Sequence, residues 1–271
     1  MARFGSASLA FPDFHGATRR LVLWNLIAYF VLAVAGLASN DVFGWLFARF
    51  VFLPKVFLGG GLWQPLTYSF VHLGIMGTAF ELLSLWFLAG FLENFHSPDW
   101  VMGLYAASVL GTALAATTLY VGSAGLGHPI EQFPLFGCFG GIFGLLAAIG
   151  LLYGDQQFQL FFVIGIKARY MVAIYALISI AMLFGQQKMY AFAQLGGALA
   201  GWAFIRLAPR RGVTFAFSEQ WYGLRNRYYR WKRRRAARKF EVYMRSQGRT
   251  VRFDGQGKKL DEDHDDKKRW N

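Results

Sequence analysis

At 271 residues the chain is long enough to bury the core of one large or two small domains. It is 55% hydrophobic and 18% aromatic yet carries a formal charge of +13, a combination that excludes an ordinary soluble globule. A single cysteine excludes an internal disulfide, and the five scattered histidines (His15, His72, His96, His128, His264) make no metal-ligand spacing, so neither a metal nor another cofactor is expected.

Hydrophobicity and charge separate along the chain. Residues 208–271 hold 19 of the 28 Lys and Arg and 8 of the 15 Asp and Glu, so this tail alone carries +11 of the +13. What precedes it is an apolar body with six runs suited to membrane-spanning helices, at about 20–38, 74–92, 100–121, 137–153, 170–186 and 189–207. In the first run Ala33-Val34-Ala35 mimics a signal-peptidase site. The run is long enough to cross a bilayer and more follow it, so it is read as a retained span.

Between the first and second spans lies DVFGWLFARFVFLPKVFLGGGLWQPLTYSFVH, too long for a turn and too aromatic for a free loop. Trp45, Phe47, Phe50, Phe52 and Phe57 suit an element lying in the membrane interface. The fourth and sixth spans are short and rich in Gly and Ala, which suits helices packed inside a bundle rather than against lipid. Gly140 and Gly144 make a GxxxG in the fourth and Gly197 and Gly201 another in the sixth, so these helices are expected to pack closely, bringing Phe139 near Gln194.

Lys and Arg near the helix ends set the orientation. Arg3, Arg19 and Arg20 precede the first span, Lys167 and Arg169 the fifth, and Arg206, Arg210 and Arg211 follow the sixth, all on one side. That side is read as cytoplasmic, with both termini on it, and a bacterial inner membrane is the expected location. The opposite side includes a short turn near Gln186, Gln187 and Lys188. The organisation is then an N-terminal segment 1–19, a membrane domain 20–207, a basic helical segment 208–246 and a charged, disordered tail 247–271. In WYGLRNRYYRWKRRRAARKFEVYMR the cations Arg230, Lys232, Arg233, Arg234, Arg235, Arg238 and Lys239 suit anionic lipid, at about 1 kcal/mol each near a surface. No nucleic-acid-binding motif accompanies them, so RNA is the lesser alternative.

Polar groups at membrane depth are costly and default to function. Glu93, at the cytoplasmic end of the second span, reads as a structural carboxylate bonded to a neighbouring loop. Glu81 lies well inside TAFELLSLWFLAG, where an ionised carboxylate costs about 3 kcal/mol, so it must be protonated or hydrogen-bonded. Cys138 reads as a small buried core residue, with no histidine available to activate it.

These residues resemble the rhomboid intramembrane serine proteases. WQPLTYSFVH, from Trp63 to His72, is similar to the family's W-R-x-x-T-x-x-F-x-H, and FLAGFLE ends at Glu93 at matching spacing. GCFGGIFGLL, from Gly137, matches the nucleophile motif G-x-S-G and its helix except at the serine, and AQLGGALAG matches A-H-x-x-G-x-x-x-G except at the histidine. The resemblance covers about residues 20–207. It implies an all-α integral membrane protein, a six-helix rhomboid-like bundle with an interfacial first loop and a basic cytoplasmic tail.

The family's chemistry uses a Ser and His dyad and an oxyanion hole of backbone amide and second-span His and Asn. By the resemblance the serine position is Phe139, the base position Gln194, and the oxyanion positions Gly77 and Glu81. Phenylalanine has no nucleophile and glutamine no basic nitrogen, so no catalysis is expected. Cys138 stands one residue from the nucleophile position, turned about 100 degrees if helical, which aims its sulfur away from the sixth helix. The resemblance then implies a pseudoprotease that binds transmembrane segments of client proteins. The alternatives are an intramembrane serine-type endopeptidase by descent, and a membrane scaffold whose tail binds anionic lipid or RNA.

Overall fold

In the computed structural model the described residues are 12–128, 130–160, 164–185 and 187–207, with positions 225–233, 235–237, 240, 243 and 246–248 beyond them. The chain forms two compact units, Met1–Val213 and Thr214–Asn271.

In the first unit helices cover all six apolar runs: α1 (Gly16–Ala38), α5 (Ile75–Glu93), α6 (Pro98–Gly125), α7 (Phe139–Leu152), α8 (Ala168–Met182) and α9 (Lys188–Leu207). Three of them, α1, α5 and α6, are long and apolar enough to cross a bilayer, while α7 and α8 are shorter apolar helices. The segment after α1 folds into α2 (Asn40–Phe50), α3 (Pro54–Leu58), α4 (Gln64–Thr67) and a 3-10 turn (Tyr68–Phe70).

Local chemistry sets the boundaries. Ser39 ends α1 and caps α2, its hydroxyl accepting from the Asp41 amide at 3.2 Å. Ser97 caps α6 by accepting from Trp100 N at 3.3 Å, with Pro98 at the first helical position and Asp99 in the first turn. Pro54 and Pro65 likewise stand in the first turns of α3 and α4.

α6 runs through the centre, packed on α9 and α7, while α1 lies on α5. Val101, Leu104, Leu145, Ile149, Leu85 and Leu92 are fully buried here. The expected close approach of the fourth and sixth spans is present: a Cβ on Gly197 would stand 2.7 Å from the Gly140 carbonyl oxygen, and one on Gly201 2.8 Å from the Gly144 Cα. α6 shares the interface, with Thr112 against Gly140 and Gly197, Ser108 against Gly144, and Gly111 against Ala200. Only glycine permits such backbone contact.

Three expectations need correction. α7 is interior, but α9 is not: Leu199, Trp202 and Leu207 are exposed, because its small residues occupy one face and its large ones the other. The body is also not wholly helical. Strands β1 (Gln157–Leu160) and β2 (Ile164–Lys167) form an antiparallel hairpin with Gln157 opposite Lys167, where polar and apolar residues alternate at the strand period rather than the helical one. Finally, Glu93 bonds not to a loop but to the first turn of α1: Oε1 accepts from Ala17 N at 2.6 Å, and Oε2 from Thr18 N at 3.0 Å and the Thr18 hydroxyl at 2.5 Å.

In the second unit residues 225–233 and 235–237 are helical. Arg230, Lys232, Arg233 and Arg235 are exposed, and the Arg235 guanidinium lies 5.4 Å over the Trp231 ring. Arg234, Arg238 and Lys239, the tail 249–271, and Arg3, Gln186, Arg210 and Arg211 lie outside the described residues.

Candidate functional site

Three stretches of chain converge at the start of α7. The 3-10 turn and the following residues carry His72, the first half of α5 carries Glu81, and the loop from Leu135 leads into Phe139. Backbone pairing holds them together: Phe52 and Leu135 exchange bonds of 3.0 and 2.9 Å, and the Gly137 amide donates to the carbonyls of Val71 at 2.7 Å and Tyr68 at 3.1 Å. Gly137 has φ of +86°, and a Cβ there would meet Glu81 Oε2 at 2.6 Å, so conformation and space both require glycine.

Glu81 is buried and hydrogen-bonded, as its depth demands: Oε2 accepts from the Cys138 amide at 2.8 Å. His72 Nε2 stands 3.3 Å from the same oxygen, with no hydrogen bond between them. Its Nδ1 donates to the Phe70 carbonyl at 3.1 Å, which fixes the ring. The ligand-type atoms of His72, Glu81 and Cys138 all lie within 4.8 Å of one another, and all three residues are buried. The expectation that no histidine stands near Cys138 is therefore overturned. His72 and Glu81 are nine positions apart across a non-helical turn, and Cys138 is far along the chain, so no periodicity could announce the cluster.

Phe139 opens α7 with its ring edge-on to Tyr190 of α9, centroids 6.0 Å apart. Gln194, one turn along α9, is buried and accepts at Oε1 from the Ser179 hydroxyl of α8 at 3.1 Å. Phe139 and Gln194 do line one cavity, with Tyr68, Thr112, Gly140 and Tyr190, but its volume is only about 10 Å³, room for at most one water. Cys138 is not among its lining residues. The thiol lies with the ligand-type atoms of His72 and Glu81, and Cys138 is the cap of α7 rather than part of its helix.

The remaining positions divide. Gly140, Gly144, Gly197 and Gly201 form the helix contact described above. Trp63 donates its indole N–H to the Arg49 carbonyl at 2.9 Å, with the Arg49 guanidinium 4.1 Å over its ring, at the edge of the first-loop helices. Glu93 closes the far end of α5. Gly77 does not join the site: it is exposed, and a Cβ there would meet nothing within 4 Å. Tyr190 and Ser179, the partners of Phe139 and Gln194, carry no signal in the sequence, because each pairing crosses between helices.

No curated protein matches this chain. The family model of the Rhomboid domain does match, over residues 59–211, which run from the first-loop helices to beyond the end of α9 and take in every position of the converging site. With more than half of its length so matched, and with three helices suited to crossing a bilayer, the chain belongs to the rhomboid family of integral membrane proteins.

Proposed function

We propose that this rhomboid is a non-catalytic binder of transmembrane segments, acting on the folding, traffic or degradation of membrane clients. The observation that carries this reading is the filling of the space between α7 and α9. The Phe139 ring packs on Tyr190, Gln194 is engaged by Ser179, and the residual cavity of about 10 Å³ has no room for a peptide bond. Neither residue can supply a nucleophile or a base. The body crosses the membrane six times, with both termini cytoplasmic in a bacterial inner membrane, and the tail cations Arg230, Lys232, Arg233 and Arg235 rest on anionic headgroups.

The surface supports contact with other apolar helices. α1 exposes Trp24, Ile27, Phe30, Val34 and Leu37, and α8 exposes Ile174, Leu177 and Ile178. Exposed apolar rows of this kind face lipid or a partner helix. Photocrosslinkers placed along α5 and α8 in membranes are expected to capture client helices preferentially, whereas equal capture from every helix of the bundle contradicts the reading.

One observation favours a second reading, a cysteine endopeptidase, because His72 lies near Cys138. Against it, Cys138 is fully buried and does not line the cavity between α7 and α9. Labelling of the wild type by a thiol-reactive inhibitor that the Cys138→Ala variant abolishes would favour the endopeptidase.

A further inference from the structure

His72, Glu81 and Cys138 combine one imidazole, one carboxylate and one thiol, the three side-chain types that bind zinc-class ions. Four features distinguish the cluster from a chance meeting of core residues. The first is that His72 Nε2 is a buried polar atom without a hydrogen bond, aimed at the other two groups. A buried nitrogen left in that condition is costly unless something else engages it.

The second feature is orientation. His72 Nδ1 donates to the Phe70 carbonyl at 3.1 Å, and a metal-ligating histidine characteristically bonds its second ring nitrogen in this way, leaving Nε2 for the ion. The third is spacing. Nε2 and Glu81 Oε2 are 3.3 Å apart, and two ligands at about 2.05 Å from a tetrahedral centre are separated by about 3.3 Å. All three ligand atoms lie within 4.8 Å, so one ion can reach them with small side-chain shifts.

The fourth feature is charge. A thiolate and a carboxylate together carry two negative charges, which a divalent ion cancels. The buried cluster would then carry no net charge, the arrangement a membrane interior favours. The thiol gives up its proton to solvent when the ion enters. Leu73, Ile75 and Met76, next in the chain after His72, are exposed. A carboxylate among the ligands and the balance of charge favour a divalent ion over copper(I).

We propose that His72, Glu81 and Cys138 form a binding site for a zinc-class divalent cation, joining the turn before α5 to the start of α7. It is independent of the client-binding reading, which needs no metal.

Cobalt(II) provides the test. Full-length, untagged protein in detergent is stripped with a chelator and titrated with cobalt(II). Cys138 is the only cysteine in the chain, so any thiolate-to-cobalt charge-transfer band reports this site alone. The expected result is a saturable band at one cobalt per chain, with the strong visible absorption of a tetrahedral centre, displaced by zinc. It should be lost in Cys138→Ser, and binding should weaken by about tenfold or more in His72→Gln and Glu81→Gln, at least the loss seen when an outer partner is removed. A monodisperse, helical wild type that gives no band overturns the proposal. So does a band of unchanged affinity in the His72 and Glu81 variants, which indicates a thiol adduct alone. If those variants fail to fold, weak octahedral-type absorption in the wild type overturns it equally.

Discussion

Glu93 satisfies two amides and a hydroxyl at the start of α1, where four backbone N–H groups lack partners within the helix. A carboxylate there also complements the positive end of the helix dipole. Glu93→Gln keeps the size but turns an amide group toward donors, and the loss of charge-assisted bonds is expected to cost about 1.5–3 kcal/mol. Thermal unfolding in detergent should show it, and an unchanged midpoint would contradict the capping role. His96, in the turn between α5 and α6, is a second local determinant. Its ring stacks on Trp100 at 3.9 Å, its Nε2 and the Tyr153 hydroxyl share a hydrogen bond of 3.0 Å, and burial holds its pKa below the ordinary 6.5. The unfolded chain then takes up this proton first. The stability His96 contributes is fully present above pH 6.5 and is lost as pH falls through the lowered value. The unfolding midpoint should drop over that window in the wild type and drop less in His96→Gln. Equal slopes for the two would contradict the linkage.

At the scale of elements, the glycine face joining α6, α7 and α9 holds the bundle centre. Gly201→Ala forces a methyl to within 2.8 Å of the Gly144 Cα, so the helices must separate. Overpacking of this kind costs about 1–3 kcal/mol. Gly77→Ala provides the contrast, since its Cβ enters open space on α5 and alanine is the better helix former by up to about 1 kcal/mol. Paired unfolding measurements should move in opposite directions, and a harmless Gly201→Ala would deny the close approach. Much of this was legible in the sequence, because glycine spacing and apolar run length act locally along a helix. Each apolar run became a helix, with ends within about four residues of those expected. The β1–β2 hairpin was not legible, because Gln157–Lys167 is short and borders two apolar helices that dominate any reading of hydropathy. The two sides of α9 were also missed, since its glycines drew attention from Leu199, Trp202 and Leu207.

For the molecule as a whole, site and scaffold separate in what a sequence can tell. The resemblance to rhomboid motifs implies where nucleophile, base and oxyanion positions would fall, since those motifs are linear. They do not tell that Gln194 is held by Ser179, that Phe139 meets Tyr190, or that His72, Glu81 and Cys138 converge. Such contacts depend on how helices pack, and distant residues meet only once α5, α7, α8 and α9 are assembled. The charge asymmetry is likewise a property of the whole chain. Reporter fusions at residue 271 and in the loop before α5 are expected to report opposite sides of the membrane, and the same side for both would contradict the six-span topology.

The absence of proteolysis is tested most directly by reconstituting the full chain in liposomes with a generic transmembrane substrate. The Phe139→Ser plus Gln194→His variant and a Cys138→Ala variant run beside it, all followed by cleavage and by serine- and thiol-reactive probes. The expected result is neither cleavage nor labelling by the wild type. Wild-type cleavage that Cys138→Ala abolishes would contradict a bundle in which packing at Phe139 replaces the nucleophile.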